Sequence, residues 1–213
     1  MKYDRDKNPV LILAPHTDDG ELGCGGTIAR FVDEGYDIYY IAFSSARRSV
    51  PAGMPDDVLR SEVRKAIQVL GIPESNLILF DYDVRQFPAH RQEILEDLIR
   101  LRFEIQPQLI FCPSTTDIHQ DHLTVCQEAV RAFKKQSILG YEEPWNNIVF
   151  TTRSFVQLKE EHLLRKIEAL SCYESQHHRP YLNEETVRAT AILRGSQLEG
   201  GFAEAFEVIR WMI

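Results

Sequence analysis

At 213 residues, with 44% hydrophobic and 26% charged positions and a formal net charge of -8, the chain is long enough to bury a full core and is expected to form a single domain over 1–213. No run of Lys or Arg makes a basic face, which argues against a nucleic-acid partner, and no stretch of ~18 uncharged apolar residues offers a membrane span. The start, MKYDRDKNPV, has no apolar run of signal-peptide length, so the chain reads as soluble and cytoplasmic. Cys24, Cys112, Cys126 and Cys172 form no CxxC pair and read as small buried side chains in a reducing compartment.

The apolar run Val10-Leu11-Ile12-Leu13-Ala14 has the composition of a buried strand and stops at Pro15. Beyond it, Glu21 to Glu34 carries Ile28, Phe31 and Val32 at helical spacing and ends at Gly35. Ile38 to Phe43 is a β-branched and aromatic run, hence a second strand. Ser44 to Asp56 is a loop long enough to line a site. Asp57 to Leu70 reads as a helix through Leu59, Val63, Ala66, Ile67 and Leu70. Leu77 to Phe80 gives a third strand, Gln92 to Phe103 a helix, and Leu109 to Cys112 a fourth strand stopped by Pro113. A polar turn, Ser114 to Gln120, leads into a helix with Leu123, Cys126, Val130 and Phe133 on its buried stripe.

Past Gly140 the pattern is less regular. Ile148 to Phe150 reads as a strand, Glu160 to Tyr173 and Glu184 to Leu193 as helices, and Ala203 to Trp211 as an apolar segment that docks on the core. The repeated order of strand then helix predicts an α/β, Rossmann-like three-layer fold with a mostly parallel sheet.

His16, Asp18 and Asp19 stand where the first strand hands over to a helix, a costly cluster unless something cationic holds it. A second cluster, His119-Gln120-Asp121-His122, follows the fourth strand, and in an open α/β sheet the carboxyl ends of the strands are where sites are built. Three His or carboxylate ligands with an open fourth position define a catalytic zinc site. The assigned ligands are His16, Asp19 and His122, holding one zinc ion per chain, with another divalent ion such as ferrous iron as the alternative. Water on such an ion ionises near neutral pH while the ion polarises a carbonyl.

Asp18 diverges from Asp19 by about 100° at a helix start and is assigned as general base; its competing reading is a helix cap. An imidazolium at His119 would stabilise an oxyanion or protonate a leaving amine, with Asp121 holding its ring. His90, His162, His177 and His178 read as surface or packing residues. Gly23, Gly25 and Gly26 fail the dinucleotide fingerprint, since Ile28 stands where its third glycine belongs, and read as close helix-on-strand packing.

PHTDDGELGCGGTI followed much later by HQDH resembles the PIG-L/LmbE family of zinc-dependent N-acetylglucosamine deacetylases, whose signatures are (A/P)HPDDExxxGxGG and HPDH. Arg60 with Glu62, Ala66 and Leu70-Gly71, KIEALSCYESQ over 166–176, and GGFAEAFEVIR near the end extend the likeness along most of the chain. The resemblance implies a Rossmann-like fold and metal-assisted removal of an N-acyl, foremost N-acetyl, group from a small-molecule amino sugar or related glycoside. It assigns His16, Asp19 and His122 to zinc, Asp18 to general base, His119 to oxyanion stabilisation with Asp121 behind it, and Arg60 to a sugar hydroxyl. Related enzymes are often homo-oligomers.

Thr17 and Gln120 replace the prolines of the two signatures, Gly20 replaces the first glutamate, and Asp117 stands where some members carry an assisting tyrosine. Two other readings stay open. His16-x-Asp18 with a distant histidine also fits a 2-His-1-carboxylate iron oxygenase, and the fold is able to carry a catalytically silent sugar-binding homologue.

Overall fold

The computed structural model describes residues 8–213. Seven strands, β1 (Pro9–Ala14), β2 (Asp37–Ala42), β3 (Leu77–Leu79), β4 (Leu109–Pro113), β5 (Ser137–Tyr141), β6 (Ser154–Leu158) and β7 (Phe202–Arg210), make one sheet in the order β3-β2-β1-β4-β5-β7-β6. The first five pair in parallel. β7 then runs antiparallel between β5 and β6.

Six α-helices cover the two faces: α1 (Asp19–Asp33), α2 (Val58–Leu70), α3 (Arg91–Ile105), α4 (Gln120–Ala132), α5 (Glu160–Ser171) and α6 (Glu184–Gly195). The alternation of side chains along β1 decides what each layer touches. Val10, Ile12 and Ala14 join Ile28, Val63, Ile67 and Ala169 from α1, α2 and α5. Leu11 and Leu13 face the other way, into Ile94 and Leu98 of α3 and Val125 and Ala129 of α4. A strand buried on both faces needs an uninterrupted apolar run, which is what 10–14 supplies.

Strand order reverses at β1, which has β2 on one side and β4 on the other. Connections leave β1 and β4 toward opposite faces, so a crevice opens above their carboxyl ends. Both polar clusters of the sequence sit on its rim.

β5 and β6 were not anticipated, and the strand expected at Ile148–Phe150 is an irregular loop. Ile148 and Val149 are 83% and 64% exposed, so their β-branched side chains have no neighbouring strand to pack on. The apolar segment at Ala203–Trp211 is β7.

α1 is kinked at Cys24, whose φ of -148° is non-helical. The break leaves Gly26 and Thr27 as a second helix start, and the carboxylate of Glu204 on β7 accepts both backbone N–H groups, at 3.0 and 2.6 Å. Lys166 of α5 pairs with the same carboxylate at 2.6 Å and donates to the Leu22 carbonyl. The glycines of this turn are needed for space. A Cβ on Gly20 would stand 2.6 Å from the Tyr40 ring, and one on Gly23 would enter the ring of Tyr141.

Candidate metal centre

His16 leaves the end of β1 and Asp19 opens α1, while His122 lies in the first turn of α4 after β4. Three of their atoms converge. His16 Nδ1 is 3.1 Å from Asp19 Oδ2, His122 Nε2 is 3.2 Å from the same oxygen, and the two nitrogens are 3.3 Å apart. A tetrahedral ion with ligands at about 2.0–2.1 Å needs donor atoms roughly 3.3 Å apart along each edge. The triangle therefore fits a small divalent cation with one open position.

The opposite nitrogen of each imidazole is fixed by a buried carboxylate. His16 Nε2 donates to Asp121 Oδ2 at 3.1 Å, and His122 Nδ1 donates to Asp117 Oδ2 at 2.8 Å. With those protons placed, His16 Nδ1 and His122 Nε2 carry lone pairs toward the triangle, the arrangement that orients histidine ligands. Asp121 thus serves His16 and not the His119 ring. The start of α4 turns its side chain back across the crevice, where the Arg85 backbone N–H also donates to it at 2.6 Å. Asp117, read from the sequence as a missing tyrosine, is instead the partner of His122.

Charge in the triangle follows. Burial opposes ionisation of Asp19, yet His122 and His16 beside it hold its carboxyl well below the usual range. Burial likewise opposes a charged His122, but Asp19 and Glu143 raise it well above an ordinary histidine. The cluster calls for positive charge.

Asp18 occupies the N-cap position of α1 but caps nothing with its side chain, and its carboxyl turns into the cleft. Burial and the charge on Asp19 push its pKa up, with Arg179 and His16 opposing. Burial, His122 and His16 lower His119 to about 4, so at neutral pH it is an imidazole rather than the expected imidazolium. Its Nδ1 accepts the Asp121 backbone N–H at 3.2 Å, which leaves the proton on Nε2. Arg60 stays off the cleft wall, because the exposed Asp81 beside it takes its guanidinium at 3.0 Å.

The cleft encloses about 190 Å³. Its wall draws on the loop expected to line a site, through Ala46 and Ser49, and on the segments after β3 and β5, through Val84 and Arg85 and through Trp145 and Asn146. Glu143, Gln176, Arg179 and Tyr181 were missed. Glu143 stands two residues past the end of β5, so an acid after a fifth strand was the signal, hidden because that strand was not seen. The others lie in the loop after α5, within or next to the ESQ stretch. Two buried acceptors of the cleft, Glu143 Oε1 and Gln176 Oε1, have no hydrogen-bond partner among the described residues.

Among the described residues a further acid-histidine group joins the exposed Asp33 and Glu161 to the buried His162. Asp33 is already paired with Arg165 at 2.6 Å. No helix among the described residues is long and apolar enough to cross a membrane.

The sequence pattern of PIG-L, GlcNAc-PI de-N-acetylase, matches residues 11–134. The uncharacterized deacetylase YaiS of Escherichia coli K12 is 31% identical over 174 residues, covering 78% of this chain and 90% of YaiS. Among solved structures, the N,N'-diacetylchitobiose deacetylase of Pyrococcus horikoshii superposes with a TM-score of 0.80 at 20% identity, over 96% of this chain and 85% of that one. GalB, the 4-carboxy-2-hydroxymuconate hydratase of Pseudomonas putida KT2440, has the same fold, with a TM-score of 0.79 at 19% identity over 97% and 98% of the two chains. The signature around His16 to Gly26, the HQDH cluster and the match over 11–134 have one consequence: this chain belongs to the PIG-L family of deacetylases.

Proposed function

We propose that this protein is a metal-dependent hydrolase that removes an N-acyl group, foremost acetyl, from a small amino sugar or related glycoside. The observation that carries the reading is the convergence of His16 Nδ1, Asp19 Oδ2 and His122 Nε2 within 3.1–3.3 Å of one another. These three side chains would hold the ion, with zinc as the first choice for a His/His/carboxylate set. When bound, the ion polarises the acyl carbonyl and lowers the pKa of water.

This chain's own residues do the rest. Asp18 takes the proton of the attacking water as the oxygen–carbon bond forms. His119 donates its Nε2–H to the oxyanion that develops on the acyl carbonyl. The carbon–nitrogen bond then breaks, the proton passes to the departing amine, and a carboxylic acid and a free amino sugar leave. Glu143 Oε1 and Gln176 Oε1, buried and without partners among the described residues, accept hydrogen bonds from the hydroxyl or amide N–H groups such a substrate offers. An unpaired buried acceptor costs about 1–3 kcal/mol, a cost that the bound sugar offsets.

The iron-oxygenase alternative needs Asp18 in the ligand set, whereas Asp19 is the carboxylate at the triangle. Because GalB places a hydratase on the same fold, the reaction rests on the site and not on the architecture. The deciding experiment is a mass-spectrometric screen of the zinc-loaded protein against N-acyl sugars, sugar nucleotides and glycosides. Release of a small acid with the matching free amine is expected. Binding with no acid released from any of them would favour the silent homologue.

A further inference from the structure

Two stretches set apart in the sequence, Glu62 on α2 and the ESQ at 174–176, meet behind the cleft wall. Glu62 stands on the apolar face of α2 with Leu59, Val63 and Ala66, and is buried. A carboxylate buried among apolar groups is costly unless donors meet it. Both oxygens of Glu62 are met by one residue, Ser175, whose backbone N–H donates to Oε1 at 2.9 Å and whose hydroxyl donates to Oε2 at 2.6 Å. Gln176 Nε2 in turn donates to Ser175 Oγ at 3.0 Å.

These bonds have one consistent direction. A carboxylate accepts and never donates, and a hydroxyl has a single proton. Glu62 takes that proton, so Ser175 Oγ is left to accept, and the end of the Gln176 amide that can meet it is the NH2. A reversed amide would set Oε1 against Oγ, two acceptors with no proton between them. The other end, Gln176 Oε1, is therefore the one left over: it is buried without a hydrogen-bond partner among the described residues, on a residue that lines the cleft. The backbone is held as well. Gln176 N–H donates to the Tyr173 carbonyl at 2.9 Å, and the Tyr173 hydroxyl bonds the Thr17 carbonyl of the metal turn at 2.6 Å.

We propose that Glu62, acting through Ser175, fixes the direction of the Gln176 amide, so that the cleft offers an acceptor at this point and selects a substrate with a hydroxyl donor there. Glu62 and Ser175 are positioning residues, and Gln176 is the one that touches the ligand. An unpaired buried acceptor discriminates sharply, because a ligand that brings an ether, a fluorine or a C–H leaves it unsatisfied. The hydrogen bonds of Gln176 among the described residues run to Ser175, Tyr173 and Arg179 and none to the metal triangle, where the reacting amide belongs. The donor is therefore a hydroxyl of the sugar. This inference rests on the deacetylase reading of the same cleft.

The relay is read without any sugar. Hydrogen exchange of the Gln176 side-chain amide, followed by NMR on isotope-labelled, zinc-loaded protein, should be slowed by the bond to Ser175. In Glu62→Gln the new amide keeps its oxygen on the Ser175 N–H and donates its own N–H to Oγ. The freed Ser175 proton then goes to Gln176 Oε1, the NH2 turns to the cleft, and its exchange should speed by about ten-fold or more. Ser175→Ala, which leaves α2 untouched, should speed it too and serves if Glu62→Gln does not fold. Unchanged exchange would overturn the relay.

The hydroxyl is read by comparing N-acetylglucosamine with its 3-, 4- and 6-deoxy and -fluoro analogues, through kcat/KM on the zinc-loaded wild type and through calorimetry on zinc-loaded Asp18→Asn. At one position the deoxy and fluoro sugars should both fall by about ten-fold or more, since neither donates. In Glu62→Gln the fluoro sugar, a weak acceptor, should recover relative to the deoxy sugar, a change that a loosened fold would not produce. An equal loss on all sugars in Glu62→Gln, or no position that matters in the wild type, would overturn the proposal. Binding of no sugar would overturn the hydroxyl claim together with the deacetylase reading, while the exchange rates still decide the relay. Binding with the expected hydroxyl preference but no acid released would support the acceptor and defeat the deacetylase reading alone.

Discussion

His122 Nδ1 stands 2.8 Å from Asp117 Oδ2, and this one contact determines which nitrogen of His122 faces His16 and Asp19. Both groups are buried. Asp117 also accepts the His119 backbone N–H through its other oxygen at 2.8 Å, so a single carboxylate sets the ring of one site residue and the backbone of another.

Replacing Asp117 by Asn keeps the shape but removes the charge that makes His122 a better ligand. Loss of such a partner costs roughly 10–100-fold in metal affinity. Competition with a chelator of known affinity measures it, and an affinity equal to the wild type would remove Asp117 from the account.

Beneath the metal turn, Glu21 is fully buried between two tyrosines, bonded to the Tyr40 hydroxyl and to Tyr173 at 3.0 Å. Both hydroxyls also bond the Thr17 carbonyl. Burial, against the bonds from Tyr40 and Tyr173, raises Glu21 to about 8. The folded pKa lies above the unfolded one, so this group's contribution is complete at low pH and is lost as pH rises through about 8. Each unit of separation is worth about 1.4 kcal/mol. Glu21→Gln, which keeps one donor and one acceptor, should flatten the difference in denaturant stability between about pH 4.5 and 8. An unchanged pH slope would mean that Glu21 is ionised in the folded protein.

Glu204 serves three buried donors, Gly26 N–H, Thr27 N–H and Lys166 Nζ. Glu204→Gln leaves the Lys166 ammonium without a counter-charge, a change that costs about 3–5 kcal/mol in buried pairs. Urea unfolding should show the loss, and a double variant with Lys166→Met should recover part of it. A single variant within about 0.5 kcal/mol of the wild type would make the pair incidental.

Much of this was legible in the chain. β1 to β4 announce themselves because apolar runs, buried on both faces in β1 and β4 and half-buried in the edge strand β3, end at Pro15, Pro113 or a polar loop. The strand-then-helix order led to the switch point and hence to both halves of the site. β5 was hidden by Gly140, which is required because a Cβ there would lie 2.9 Å from Ser114 Cα. The run at Ile148 to Phe150 misled because β-branched composition does not provide a partner strand. In the site, His16, Asp18, Asp19 and His122 could be read because their spacing is local to two turns. Asp117 and Arg179 could not. The first bonds His122 across a loop-to-helix junction, and the second arrives on the loop after α5, so their roles depend on tertiary packing.

The central claim is that His16, Asp19 and His122 hold one divalent ion while Asp18 acts on the water and not on the metal. Metal content by elemental mass spectrometry, read on the same samples as acid release from an N-acyl sugar, tests it most directly. Asp18→Asn should keep one ion per chain and lose activity by roughly 10²–10⁴-fold, whereas His122→Ala should lose both. Full turnover in Asp18→Asn, or one ion per chain retained by His122→Ala after dialysis, would contradict it.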